Sequence, residues 1–227
     1  MSDPVFIIGS IVVVVWSITT HEVAHGWVAD KLGDPTARLM GRLTLNPIPH
    51  IDPVFTILIP GILFFMGAPI FGGAKPVPVD MRNLRHPWRD WALVGLAGPL
   101  SNILIGFLCA GLFSVFVRMG REVDTIGCMV LGMGALSNFA LAGFNLLPIP
   151  PLDGSRVAQY FLPPTARRTY LQLERYGLFL VMGIVLLFRG ALGWYLQSVI
   201  EPLLRLAGGV FGVTAELFTS INMILSP

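Results

Sequence analysis

Charge is what this 227-residue sequence has least of. Only 12% of its residues are Asp, Glu, Lys or Arg, where a soluble domain carries about 25%. So sparse a set cannot cover the surface of a soluble protein of this size. A soluble globular enzyme and a disordered chain are both excluded. The net charge of +2 leaves no basic footprint for nucleic acid. Cysteine is scarce as well. Cys109 and Cys128 both lie in apolar stretches, so neither a disulfide framework nor a cysteine-built zinc cluster is indicated. The N-terminus lacks the basic region of a secretory signal peptide, and MSDPVFIIGSIVVVVWSITT reads as the start of a retained helix.

What the chain has instead is apolar length: 54% of its residues are hydrophobic and its mean hydropathy is +0.74. A membrane span takes about 20 apolar residues, which leaves room for five or six. Apolar segments cover about 5–29, 91–117, 126–147 and 176–188. A stretch at 54–71 is broken by Pro60, Gly61 and Gly67. A last region, 191–225, is interrupted by Glu201, Pro202, Arg205 and Gly208-Gly209, and reads as one span plus an interfacial helix. The expected fold is an all-α polytopic membrane protein of about five to six transmembrane helices. It carries a re-entrant element and a candidate small membrane-associated β-sheet.

The basic residues suggest an orientation. Lys31, Arg38, Arg42, Lys75, Arg82, Arg85 and Arg89 lie between the first and second spans, and Arg156, Arg167, Arg168 and Arg175 between the third and fourth. By the positive-inside rule both connections are cytoplasmic, and the first span enters from outside.

The chemistry is concentrated in a few exceptions to the apolar rule. The first span contains His21-Glu22-Val23-Ala24-His25. Residues four apart share a helix face, so both imidazoles can reach one metal ion, with Glu22 placed to take a proton from metal-bound water. The plainer alternative is two buried histidines hydrogen-bonded to backbone. A charged group near the centre of a membrane helix costs about 2.5–3.5 kcal/mol, and a bound divalent cation would offset that cost. Catalytic zinc takes a third protein ligand. The better source is the end of the third span, Asn145-Leu-Leu-Pro-Ile-Pro-Pro-Leu-Asp153-Gly154. Its three prolines end the helix, Gly154 permits a sharp turn, and unwound backbone in lipid must be buried or line a watery cavity. An ordinary proline-rich helix exit, with Asp153 capping the next helix, is the alternative reading.

The motifs HEVAHG and NLLPIPPLDG together resemble the site-2 protease family of intramembrane zinc metalloproteases. GRLTLNPIPHIDP, KPVPVDMRNLR and AGPLSN resemble its compact bacterial and archaeal branch, which has no PDZ domain. The resemblance covers about residues 15–160. It implies His21, His25 and Asp153 as ligands of one Zn2+ per chain and Glu22 as general base. Asn145 matches the family's asparagine that holds the substrate or its oxyanion. It further implies a single integral membrane protease domain over 1–227, with a catalytic core at about 5–160 and C-terminal helices at about 170–225. The implied activity is endopeptidase cleavage within or near transmembrane segments, as in regulated intramembrane proteolysis. The partners would be a transmembrane protein or peptide and membrane lipid, with no nucleic acid. The expected location is a prokaryotic inner membrane with the active site toward the cytoplasm. The rival readings are a proteolytically silent scaffold of the same fold and a metal-ion transporter. The apolar outer half of the first span, Phe6 to Trp16, offers a transporter no polar path.

A shared metal also constrains the topology. The ends of the first and third spans must lie on one membrane side, so 54–71 should not cross; it is expected to be re-entrant or interfacial. Partial period-two alternation at 38–45 and the proline-extended 73–79 suggest the small sheet, with an edge open to an unwound substrate. For the remaining polar residues the structural reading is favoured. Asn102 is expected to sit in small-residue helix packing, His50 and Asp52 to structure their loop, and Arg167-Arg168 to meet anionic headgroups.

Overall fold

The computed structural model describes residues 3–65 and 72–225. Its α-helices are α1 (Pro4–Leu32), α2 (Thr36–Leu39), α3 (Ile59–Phe65), α4 (Pro87–Arg118), α5 (Ile126–Asn145), α6 (Asp153–Phe161), α7 (Pro164–Gln172), α8 (Gly177–Leu187), α9 (Arg189–Phe211) and α10 (Thr214–Leu225). Among the described residues, four helical stretches are long and apolar enough to cross a membrane: Pro4–Leu32, Pro87–Arg118, Ile126–Asn145 and Pro164–Leu187. The chain is therefore an all-α, multi-pass membrane protein. The fourth stretch begins twelve residues before the apolar run at 176, because Pro164 opens α7 and a 3-10 turn, Leu173–Tyr176, links α7 to α8. The C-terminal region forms two helices, broken at Gly212, whose φ of 70° suits glycine and ends α9.

The chain divides into two compact units, and α1, α4, α5 and α9 each contribute to both. One unit comprises Met1–Ser17, Leu100–Gly143 and Trp194–Pro227. Its apolar core joins Ile105, Cys109 and Phe113 of α4, Cys128, Ala135 and Phe139 of α5, Leu204 and Ala207 of α9, and Leu217 and Ile221 of α10. Small residues set the spacing, as they do where helices pack without a hydrophobic drive from water. A side chain at Gly106 would drive into the Phe139 ring, and one at Gly9 into Val130. Within this packing lies a closed polar network. Asn102 donates to Asn138 Oδ1 (3.0 Å), Asn138 donates to Ser17 Oγ (2.9 Å) and to the Gly134 carbonyl (2.8 Å), and Ser17 donates to the Val13 carbonyl (2.7 Å). Asn102 thus combines helix packing with a hydrogen bond between α4 and α5.

The other unit, Ile18–Pro99 with Phe144–Gly193, holds the second half of α1 and the turns around it. Buried Asp34, just beyond α1, accepts from the Asp80 amide (2.7 Å), the Asn83 side chain (2.9 Å) and the Thr36 amide (3.2 Å). Burial alone would raise the carboxyl pKa, but a bond from the Thr36 hydroxyl together with these three, all to its charged form, holds it below its ordinary value.

Two expectations meet the structure here. No strand occurs among the described residues, so the small sheet at 38–45 and 73–79 is not formed. Arg38 and Leu39 instead close α2, and Gly41 turns the chain with φ 65°. In 73–79, Pro76 and Pro78 supply no N–H, and side chains or a loop take other polar groups. Lys75 N–H donates to the His50 carbonyl, and Arg42 donates to the Lys75 carbonyl, each at 2.8 Å. Within 54–71, residues 66–71 lie outside the described residues. The rest belongs to a π-helical turn, Pro53–Leu58, running into the seven-residue α3. Among the described residues this stretch is not one of the helices long and apolar enough to cross a membrane. His50 and Asp52 act as loop-formers: the His50 ring pairs with the Thr44 carbonyl (3.0 Å), and Asp52 accepts from the Val54 amide (2.9 Å).

Candidate metal centre

Three side chains from two distant parts of the sequence converge inside the second unit. α1 carries His21 and His25 one turn apart. Asp153 arrives at the first position of α6, after α5 has ended at Asn145 and the proline run has reversed the chain. That reversal requires glycine at 154, because any Cβ there would collide with the Leu146 and Leu147 carbonyls. All three residues are buried, with 7, 3 and 5% of His21, His25 and Asp153 exposed.

The donor atoms form a near-equilateral triangle. His21 Nε2 and His25 Nε2 are 3.1 Å apart, and Asp153 Oδ2 lies 3.0 Å from the first and 3.2 Å from the second. Ligands about 2.0 Å from a tetrahedral centre stand about 3.3 Å from one another, so the spacing suits one zinc ion. The hydrogen bonding of His25 suits it too. Its Nδ1 is 2.6 Å from the Val94 carbonyl, an acceptor only, so Nδ1 carries a proton and Nε2 is the nitrogen turned to the triangle. Asp153 Oδ2 is buried with no hydrogen-bond donor directed at it. Three metal-ligating atoms converging in a buried site are the arrangement a cation stabilises.

The face of α4 at Trp91, Val94, Gly95 and Gly98 backs this triangle. A Cβ at Gly98 would stand 2.5 Å from His21 Cε1 and 2.5 Å from His25 Nε2, so only glycine lets both rings approach. Gly95 similarly admits the Asp153 carbonyl and the Arg156 side chain, each 2.9 Å from a would-be Cβ. Arg156, one turn after Asp153, places Nη1 3.3 Å from Asp153 Oδ1 and its guanidinium 4.6 Å from the Trp91 ring centre.

Glu22 follows His21 on α1, half-buried, and its Oε2 accepts the Val77 amide at 2.9 Å. The segment at 73–79 therefore reaches this site as an extended strap rather than as a strand. Asn145 is the last residue of α5, half-buried, at the start of the turn that delivers Asp153. The structure thus brings His21, His25 and Asp153 together, sets Glu22 beside them in sequence under the Val77 amide, and puts Asn145 at the mouth of the turn. Sequence reasoning missed Gly98, the Val94 carbonyl, Trp91 and Arg156. The one local signal was Arg156, three residues after Asp153 and so on the same helix face.

Comparison with known proteins follows the same lines. The sequence profile of Peptidase family M50 matches residues 109–188. The candidate zinc metalloprotease YwhC of Bacillus subtilis is 37% identical over 209 residues, covering 88% of this chain and 91% of its own. The candidate zinc metalloprotease Rip2 of Mycolicibacterium smegmatis is 31% identical over 185 residues, covering 81% and 68% respectively. The Mycobacterium tuberculosis protein of the same name is 27% identical over 196 residues, covering 85% and 71%. No solved structure matches the chain.

Proposed function

We propose, from the premise that this chain belongs to peptidase family M50, the site-2 protease family, and is a metalloprotease, that it is a zinc-dependent intramembrane endopeptidase. It hydrolyses peptide bonds within or near transmembrane segments of membrane-protein substrates, the chemistry of regulated intramembrane proteolysis. The observation that carries this reading is the buried triangle of His21 Nε2, His25 Nε2 and Asp153 Oδ2, with edges of 3.0–3.2 Å, built partly on an apolar helix long enough to cross a membrane.

In this reading those three atoms hold one zinc ion. Zinc bound there supplies Lewis-acid polarisation of the scissile carbonyl and makes the attacking water acidic near neutral pH. Glu22 moves the protons. With Oε2 engaged by the Val77 amide, Oε1 is the oxygen that takes the proton from water and delivers it to the leaving amine nitrogen. The Val94 carbonyl keeps the His25 proton on Nδ1 and the ring in one orientation. Asn145 offers an amide donor at the end of α5 for the substrate backbone or its oxyanion. Helical carbonyls are hydrogen-bonded along the helix axis, so a substrate helix must unwind before its carbonyl reaches this site. In this reading the site lies toward the cytoplasmic face of a prokaryotic inner membrane, and the basic connections between spans support that orientation. The working partners are then a transmembrane substrate and surrounding lipid.

Product mapping tests the intramembrane part. The protein is reconstituted in liposomes with a single-span substrate, and the new termini are identified by mass spectrometry. Termini inside or at the edge of the apolar segment are expected. Cuts confined to soluble loops would overturn it. Zinc content tests the site: His25→Ala retaining as much zinc as the wild type would exclude the triangle as its holder.

A further inference from the structure

The two oxygens of Asp153 have different neighbours. Oδ2 faces both imidazoles at 3.0 and 3.2 Å, whereas Oδ1 faces Arg156 Nη1 at 3.3 Å. The guanidinium is not a loose surface group. It lies over the Trp91 ring at 4.6 Å, and only 21% of its side chain is exposed. Its aliphatic stem runs over Gly95, where a Cβ would sit 2.9 Å from Arg156 Cβ and 3.3 Å from Cδ. Trp91 and Gly95 are one turn apart on α4, so a single helix face fixes both ends of this side chain. A planar guanidinium stacked on an aromatic ring has few other positions open to it.

A carboxylate beside a divalent cation can donate one oxygen or both. Catalytic zinc sites depend on that choice, because they need three protein ligands and one position left for water or substrate. We propose that Arg156 is a positioning residue that holds Asp153 to one-oxygen ligation: by occupying Oδ1 from the Trp91 platform, it reserves the fourth metal position for water and substrate. The inference rests on the triangle being the metal site. It assigns no reacting role to Arg156, which acts through Asp153. Removing the guanidinium frees Oδ1 to turn onto the metal, raising the coordination number while taking a positive charge away from the ion. The metal should then be held at least as tightly, with catalysis lost. A guanidinium that merely braced α6 would give the opposite result, a loosened site and weaker binding.

Cobalt substitution separates these outcomes. The full-length protein in detergent is loaded with Co2+, whose visible bands are intense in four-coordinate sites and weaker in five-coordinate ones. The wild type is expected to show the intense bands and His25→Ala to lose them. Wild-type protein without them would overturn the metal-site reading and this inference together. Arg156→Gln is expected to convert the intense bands to the weak pattern and keep or tighten zinc affinity in chelator competition. Substrate cleavage should fall about 10- to 100-fold. Arg156→Lys, which returns a positive charge to Oδ1, should recover the intense bands. Unchanged bands in Arg156→Gln, or zinc affinity falling in step with activity, would overturn the inference while leaving the site intact. If Arg156→Gln does not fold, Trp91→Leu is the second variant, since it keeps the guanidinium and removes its platform. A partial shift toward the weak bands is expected, and wild-type bands with wild-type cleavage would count against the proposal.

Discussion

Replacing Gly98 with alanine adds one methyl group to α4 at the point where both imidazoles rest. The new Cβ would lie 2.5 Å from His21 Cε1, 2.5 Å from His25 Nε2 and 2.6 Å from His21 Nε2. Non-bonded heavy atoms settle at about 3.5–4.0 Å, so about 1 Å of overlap must be relieved. The rings can yield, or α4 can withdraw. Zinc–ligand distances tolerate about 0.2 Å, so rings that yield cannot keep the triangle. Forcing a methyl group into filled space costs about 1–3 kcal/mol. If the rings absorb it, zinc affinity falls roughly 5- to 150-fold, at tenfold per 1.4 kcal/mol. If the helix absorbs it, the same energy appears in unfolding of the zinc-free protein. Both are measurable on purified protein in detergent, by competition with a chromophoric chelator and by thermal or denaturant unfolding. The control is Gly183→Ala on α8, where a Cβ meets nothing within 4 Å. It should be neutral or slightly stabilising, since alanine exceeds glycine in helix propensity by about 1 kcal/mol. A Gly98→Ala protein with wild-type zinc affinity and wild-type unfolding would refute the packing argument for the site.

Other substitutions probe separate parts of the account. Asp153→Asn keeps the side-chain volume but removes the anion, and purified protein should retain much less zinc by metal analysis; full retention would exclude Asp153 as a ligand. Asn138→Ala breaks three hydrogen bonds among α1, α4 and α5 and should destabilise by about 1–2 kcal/mol. A double-mutant cycle with Asn102→Ala should show coupling, and strict additivity would argue against the network. The Asp34 carboxyl is depressed by its hydrogen bonds. Its contribution is therefore complete above the unfolded value of about 3.9 and is lost as pH falls through the lower folded value. Acid unfolding of the wild type should steepen below about pH 4, and Asp34→Asn should flatten that limb; superimposable acid limbs would contradict this.

The convergence of His21, His25 and Asp153 was legible because its signal is local. His21 and His25 need only helical spacing to share a face, and the proline run before Asp153 marks a forced unwinding that the structure places at the end of α5. The expectation that 54–71 does not cross rests on Pro60-Gly61 and on the requirement that the three side chains meet. What surrounds the metal triangle was not legible. Gly98, the Val94 carbonyl and Trp91 belong to α4, and nothing in their own neighbourhood says which helix they back. Their meaning arises only when α1 and α6 pack there. The candidate sheet failed for a related reason. Period-two alternation and prolines do indicate extended chain at 73–79, but extension does not specify a partner. Here the Glu22 carboxylate and the Arg42 guanidinium take the positions a neighbouring strand would have held.

In the proposed mechanism Glu22 acts with zinc held by His21, His25 and Asp153 to cut a peptide bond in the membrane. The most direct measurement compares wild type and Glu22→Gln, reconstituted in liposomes with a transmembrane substrate and matched for zinc content. Glutamine preserves the shape and an oxygen to accept the Val77 amide but cannot hold the proton. Equal zinc in both proteins, cleavage by the wild type and none by Glu22→Gln are expected. Equal cleavage by the two proteins would contradict it.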